Sequence, residues 1–145
     1  MLVGEAPGLE EERSGHPFMG ASGRELDKML HEASIMRSEV FVSNVSRHRP
    51  PDNKIDEWLW KPRKGKKPPA GFVELRNFYV HPHIKQGFNS LLKEIDLVKP
   101  NIIIPFGNVA MWALTGKWGI SKWRGSQLLT DFHIEEISSV HSTPK

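Results

Sequence analysis

The sequence predicts an α/β fold in three layers, with helices on both faces of a central, mostly parallel sheet of four strands. Two patterns carry this. Short apolar stretches alternate with amphipathic ones along the chain, as in strand–helix units. Those apolar stretches are also nearly continuous rather than alternating, the mark of strands covered on both faces. At 145 residues the chain is expected to form one domain, residues 1–145, large enough to bury a core.

The elements follow in order. MLVGE at 1–5 reads as a short buried strand, and EVFVSNV at 39–45, rich in Val and Phe, as the next. Between them SGRELDKMLHEASI at 22–35 carries Leu26, Met29, Leu30 and Ala33 at helical spacing, with Ser22 and Glu25 placed for a capping box. No secondary structure is assigned to the proline-rich, basic stretch from Arg49 to about His83, where Trp58, Trp60, Phe72, Phe78 and Tyr79 alternate with Lys and Arg. NSLLKEIDLVK at 89–99 is an amphipathic helix stopped by Pro100, and NIIIPFG at 101–107 a strand buried on both faces. VAMWALTG is a short helix ended by Gly116, after which a loop, a hairpin and a last strand in FHIEEISSVH at 132–141 are expected. Ligands of such sheets sit beyond the carboxyl ends of the strands. That rule selects the loop after Glu5, the segment from Asn44 to Arg49, the turn at Gly107 and the segment around His141.

Composition narrows the function. The chain has no cysteine, which excludes disulfides and thiolate-held metals or clusters and accords with a reducing cytoplasm. No apolar run reaches membrane-spanning length, and no export signal is read at the N-terminus. Net charge is +3, but the acids gather early while KPRKGKKPP at 61–69 is a basic block that either tracks a phosphate backbone or simply keeps the protein soluble.

The stretch GEAPGLEEERSGHPFMGASG at 4–23 is too long for an ordinary strand-to-helix turn and suggests a bound ligand. It contains neither G-x-x-x-x-G-K-[ST] nor a clean G-x-G-x-x-G, and no acid follows the second strand to hold a ribose. A nucleotide cofactor is therefore not expected.

The series GEAPGLEEERSGHPFMGASGREL, VFVSNVSRHRPPDN, KPNIIIPFGNVAMWALTG, GISKWRG and VHS, in that order, resembles the family 4 uracil-DNA glycosylases and the related glycosylase-like domains found with some phage DNA polymerases. The resemblance runs from Leu2 to about His141, broken by a basic, aromatic-rich insertion at about 54–83. It implies removal of uracil from single- or double-stranded DNA by hydrolysis of the N-glycosidic bond, without a metal. It also implies a bacterial or phage-infected cell and a replication polymerase as partner.

Residue by residue, the resemblance makes Gly4, Ala6, Pro7 and Gly8 the wall of the base pocket and Phe18 its stacking ring, against the plainer reading of a core Phe. Asn44 would read O4 and N3–H of the base with its acceptor and donor, where a lone strand-end Asn is otherwise a turn residue. His141 would meet O2 as the base departs, although the family's His-Pro-Ser reads His141-Ser142-Thr143-Pro144 here. The position of Ala6 has no side chain able to act as a base, so Glu5 either orients water or shapes the loop. Glu11 matches the residue thought to exclude the thymine methyl, or is a solvated acid.

Arg47, Arg49, Lys64, Lys66, Lys67, Lys122, Arg124 and Ser142 are the candidate DNA contacts. The family usually holds an iron–sulfur cluster on four cysteines. Here His48 replaces the cysteine of the second motif, no cofactor is expected, and aromatic packing in the insertion takes over the structural role. The rival reading is an inactive DNA-binding or polymerase-associated domain of the same fold. A variant that bonds covalently to its product through a loop histidine is disfavoured, because KPRKGKKPP contains none.

Overall fold

A computed structural model describes residues 1–130. The first strand, β1 (Leu2–Gly4), lies between β2 (Val42–Asn44) and β6 (Ile104–Pro105) in a parallel sheet. Leu2 pairs with Val42 and Ile104, Val3 with Ser43 and Pro105, and Gly4 with Asn44. Successive strand residues point to opposite faces, so Leu2 and Val3 anchor different cores. Leu2 joins Leu26 and Leu30 of α2 (Ala21–Glu32), while Val3 packs with α3 (Pro82–Val98) and α4 (Asn108–Thr115). Helices thus cover both faces, and the three layers follow from that alternation.

The described sheet has three strands rather than four. The fourth expected strand, at 132–141, lies outside the described residues together with His141 and Ser142. β6 is also shorter than expected and is not buried on both faces, since Ile102 and Ile104 are 69% and 48% exposed. It forms an edge of the described sheet, and Pro105 has no N–H to extend a ladder.

Helix ends differ from expectation for local reasons. Gly20, not Ser22, is the cap of α2, and Ser22 falls in the first turn. Leu26 and Leu30 face the core one turn apart, while Met29 is 48% exposed. The long helix α3 starts at Pro82, seven residues before the expected Asn89, with His81 as its cap. Proline at the first helical position fits because its missing N–H has no partner there anyway. Lys99, in the left-handed region (φ 47°), ends the helix before Pro100. Gly116 closes α4 as expected, its N–H donating to the Trp112 carbonyl at 2.8 Å. Residues 117–130 form no strand, and the rest of the expected loop and hairpin lies outside the described residues. A single turn of helix, α5 (Ile120–Trp123), follows instead, its Ile120 N–H held by Asn108 Oδ1 at 2.7 Å.

The unassigned stretch forms a second sheet. β3 (Leu59–Trp60), β5 (Phe78–Val80) and β4 (Val73–Leu75) pair antiparallel in that order, and the basic block is the exposed connection from β3 to β4. Trp58, Leu75, Phe78 and Val80 share one core with Val3, α3 and α4. Phe78 stacks on the fully buried Trp112 with centroids 4.9 Å apart, and Trp112 Nε1 donates to Asn77 Oδ1 at 2.9 Å.

The approach of α3 to the end of β2 depends on Gly87, where a Cβ would overlap the Val45 carbonyl oxygen. Gly87→Ala should therefore lower unfolding stability by about 1–3 kcal/mol, read from the urea midpoint. An unchanged midpoint would show that the helix moves without penalty.

Candidate active site

The register that pairs Gly4 with Asn44 brings the ends of β1 and β2 side by side, and both residues are buried. A Cβ on Gly4 would overlap Asn44 Oδ1 and lie 2.8 Å from Cε2 and Cζ of Phe18. The asparagine amide and the phenylalanine ring therefore converge on the one strand position that carries no side chain. A cavity of about 220 Å³ opens there, lined by Ala6, Gly8, Phe18, Asn44 and Phe106 among others. That is below the roughly 300–1,000 Å³ of sites for drug-sized ligands and suits a single small ring. Phe106, at the end of β6, meets Phe18 edge to face at 5.7 Å. Phe106 and Ser22 line the cavity but were not singled out by sequence. Phe106 directly precedes Gly107 at a strand end, a signal that could have found it.

Phe18 has φ 55°, a left-handed conformation that costs about 1–2 kcal/mol for a residue with a side chain. Two charged side chains hold it there. Glu11 Oε1 accepts the N–H groups of Met19 and Gly20, each at 2.8 Å, and its Oε2 accepts that of Gly8 at 3.0 Å. From the other side Arg37 donates through Nη2 to the carbonyls of Pro17 (2.9 Å) and Phe18 (3.3 Å), while Nη1 pairs with Asp27 at 2.6 Å. Gly23 completes the cradle, because any Cβ there would overlap the Phe18 carbonyl. Arg37 was missed by sequence, being nineteen residues away in a 3₁₀ turn with no local signal. Glu11 lines the cavity, but its oxygens are engaged by the loop's own amides. Burial alone would raise its pKa; the N–H groups of Gly20, Met19 and Gly8 outweigh that and hold it below the ordinary value.

Glu5 turns toward α4. Its Oε1 accepts the Val109 N–H at 2.8 Å, capping that helix, and Gly107 (φ 98°) leaves no room for a Cβ against the carboxylate. Burial raises its pKa, as does the charge of Asp56, while the N–H groups of Val109 and Asn108 oppose the rise. Glu5 still lines the cavity with Gly4, Ala6 and Gly8, whereas Pro7 lines a larger neighbouring cleft.

The candidate DNA contacts separate into two groups. Arg47 is engaged inward, with Nη2 on Glu94 at 2.7 Å and Nη1 on Ser43 Oγ at 2.7 Å, and Ser43 itself donates to Glu94 at 2.6 Å. Arg49 donates to Asn53 Oδ1 at 2.7 Å and Glu12 at 3.3 Å. Lys64, Lys66 and Lys67 are exposed on the β3–β4 connection, outside both cavities, and Lys122 and Arg124 are exposed in and just after α5.

The profile of the uracil DNA glycosylase superfamily matches residues 1–143. The chain is 30% identical to the type-4 uracil-DNA glycosylase of Sulfurisphaera tokodaii over 143 residues, covering 94% of this chain and 54% of that protein. It is 30% identical to the Thermotoga maritima enzyme of the same name over 130 residues, 88% of this chain and 56% of that one. The Pyrobaculum aerophilum enzyme is also 30% identical, over 114 residues, 79% and 46% of the two chains. This chain belongs to the uracil DNA glycosylase superfamily, and it spans about half the length of the curated relatives it matches.

The residues do not fit an iron–sulfur cluster. The chain has no cysteine, and His48 lays its ring on His83 with centroids 3.9 Å apart. Among the described residues no three His, Asp or Glu side chains gather as metal ligands.

The clasp gives a direct test. Glu11→Ala removes the acceptor of all three loop amides, and Arg37→Ala removes the opposite jaw, so both should speed hydrogen exchange at the Met19 and Gly20 amides. In the unaltered protein a depressed carboxylate pKa means the clasp is complete above pH 4.5 and is lost as pH falls through its lower folded value. The shifts of those amides, followed by NMR, should titrate below 4.5 and not above it.

Proposed function

We propose that residues 1–145 form one uracil-DNA glycosylase-like domain, with an insertion at 54–83, that extrudes uracil from DNA and hydrolyses its N-glycosidic bond to leave an abasic site. The observation that carries this reading is the convergence of Phe18 and Asn44 on Gly4. Extruding a base costs a few kcal/mol, and stacking it on an aromatic ring returns about 1–3 kcal/mol. Phe18 supplies that face, already held in place before the base arrives. Asn44 supplies a donor and an acceptor matching N3–H and O4 of uracil, and cytosine presents the reverse pattern. A buried amide rejects the wrong edge strongly because it would be left unpaired.

Bond cleavage develops positive charge on the sugar and negative charge on the departing base. Glu5, anchored through Oε1, orients the attacking water with its other oxygen and faces the sugar as an anion. His141 donates to O2 as charge builds there, in the manner of an oxyanion-hole group. The Gly8 N–H does not take part, because it is engaged by Glu11. The exposed Lys64, Lys66, Lys67, Lys122 and Arg124 give the salt-dependent phosphate affinity expected of such a domain, with Ser142 as a further phosphate contact. Among the described residues no helix is long and apolar enough to cross a membrane. A cytoplasmic setting and a replication polymerase as partner are part of the same proposal.

The test is a labelled single strand with one uracil, incubated with protein and treated with alkali. Strand breakage at uracil, absent at thymine and cytosine, is the expected result, and binding without breakage would identify a DNA-binding domain of the same fold. Phe18→Ala should lower kcat/KM about 5–100-fold and Asn44→Ala about 10–100-fold. Gly4→Ala, which fills the meeting point, should abolish release while the protein stays folded.

Glu5 adds a pH signature. Its raised pKa means that the anion forms only as pH climbs through a value above 4.5, so the rate should carry an acid limb there. Glu5→Gln should flatten that limb, and a limb unchanged in the variant would remove Glu5 from the chemistry.

A further inference from the structure

A second cleft of about 650 Å³ adjoins the base cavity, sharing Asn44 and Glu11 with it. Its wall includes the rings of Trp58, His83 and His48, members of a ring cluster drawn from three separate segments. Trp58 stacks on His81 (centroids 4.7 Å, planes 15° apart), His83 meets Trp58 at 5.4 Å and His81 at 4.8 Å, and His48 lies on His83 at 3.9 Å with planes 31° apart. The cluster is anchored at one end, where Trp58 is buried and Phe72 abuts His81 edge-on. At the other end His48 is exposed. An exposed side chain ordinarily has freedom to move, but here the backbone beneath it is fixed. Ser46, fully buried, accepts the His48 N–H at 3.1 Å and donates to the His48 carbonyl at 2.9 Å. The His81 ring is held too, since its Nδ1 accepts the backbone N–H of His83 at 3.3 Å.

We propose that this ring cluster is a stacking platform for the base of the nucleotide next to the extruded uracil, with His48, backed by His83, as the ring that receives it. The proposal rests on the uracil reading of the neighbouring cavity. His48 is four residues from Asn44, so the two lie within about 14 Å along the backbone. The cations of the cleft are already matched, Arg47 by Glu94 and Arg49 by Glu12, which favours an uncharged flat ligand over a phosphate. Stacking is sequence-tolerant, because every base has a π-face. The substrate class that follows is single-stranded DNA, in which a neighbouring base has no partner to leave and can follow uracil out of line at little cost.

The experiment compares single strands carrying one uracil whose 5′ or 3′ neighbour is either a normal nucleotide or an abasic tetrahydrofuran residue. Loss of the neighbouring base on one side should raise KM about 5–100-fold with little change in kcat. His48→Ala should cause the same loss on the intact strand and none on the strand lacking that base, and His48→Phe should restore it. A His48→Ala loss of equal size on both strands, or indifference to both neighbours, would overturn the platform. Should no strand release uracil, the parent reading fails by itself. Fluorescence anisotropy then decides the platform separately, because His48→Ala must weaken binding of labelled oligothymidylate and leave an all-abasic strand of the same length unaffected.

Discussion

The geometry of the site hangs on one absence of atoms. Position 4 is where β1 ends beside Asn44, and a Cβ there would meet both the Asn44 amide and the Phe18 ring. Any side chain there would push the amide and the ring apart. The register that sets this meeting is itself fixed by burial, since Leu2 and Val3 enter cores on opposite faces and a slip of one residue would exchange them. Packing on both sides of the sheet thus determines which residue faces Asn44.

Charge near the site is used mainly to hold backbone. Glu11 gathers three amides of one loop, Arg37 takes two carbonyls of the same loop, and Glu5 caps a helix more than a hundred residues away. Arg47 and Glu94 join the end of β2 to α3 through Ser43. Each of these is a charge-assisted bond, stronger than its neutral counterpart. The loops are thereby set before any ligand arrives, and the cost of ordering them does not fall on the binding step.

Much of this was legible in the amino-acid order. β1, β2 and α4 lie where hydrophobic runs and a closing glycine put them, and Phe18, Asn44 and Ala6 could be picked out because they sit in long distinctive motifs. The second sheet could not, because its strands are two or three residues long and lie amid prolines and glycines, so no alternation is long enough to detect. Its pairing becomes visible only once Trp112 provides a surface for Phe78. Pro82 read as part of a proline-rich connector when it is the start of a helix. Glu5 and Arg37 act across 104 and 19 residues, and no local pattern encodes such partners. The reading of NIIIPFG as a strand covered on both sides assumed continuous neighbours, and among the described residues β6 pairs with β1 alone, with Ile102 and Ile104 exposed.

The second sheet has an architectural consequence. β5 runs directly into α3 through His81, so the residues that look like an optional addition also supply the first turn of the longest helix. Removing this region would behead α3, uncover Trp112 and dissolve the ring cluster together. For anyone building chimaeras, the practical seam is the exposed basic stretch from Arg63 to Lys67, between Lys61, which lies over Phe78 and Trp118, and Phe72, which abuts His81.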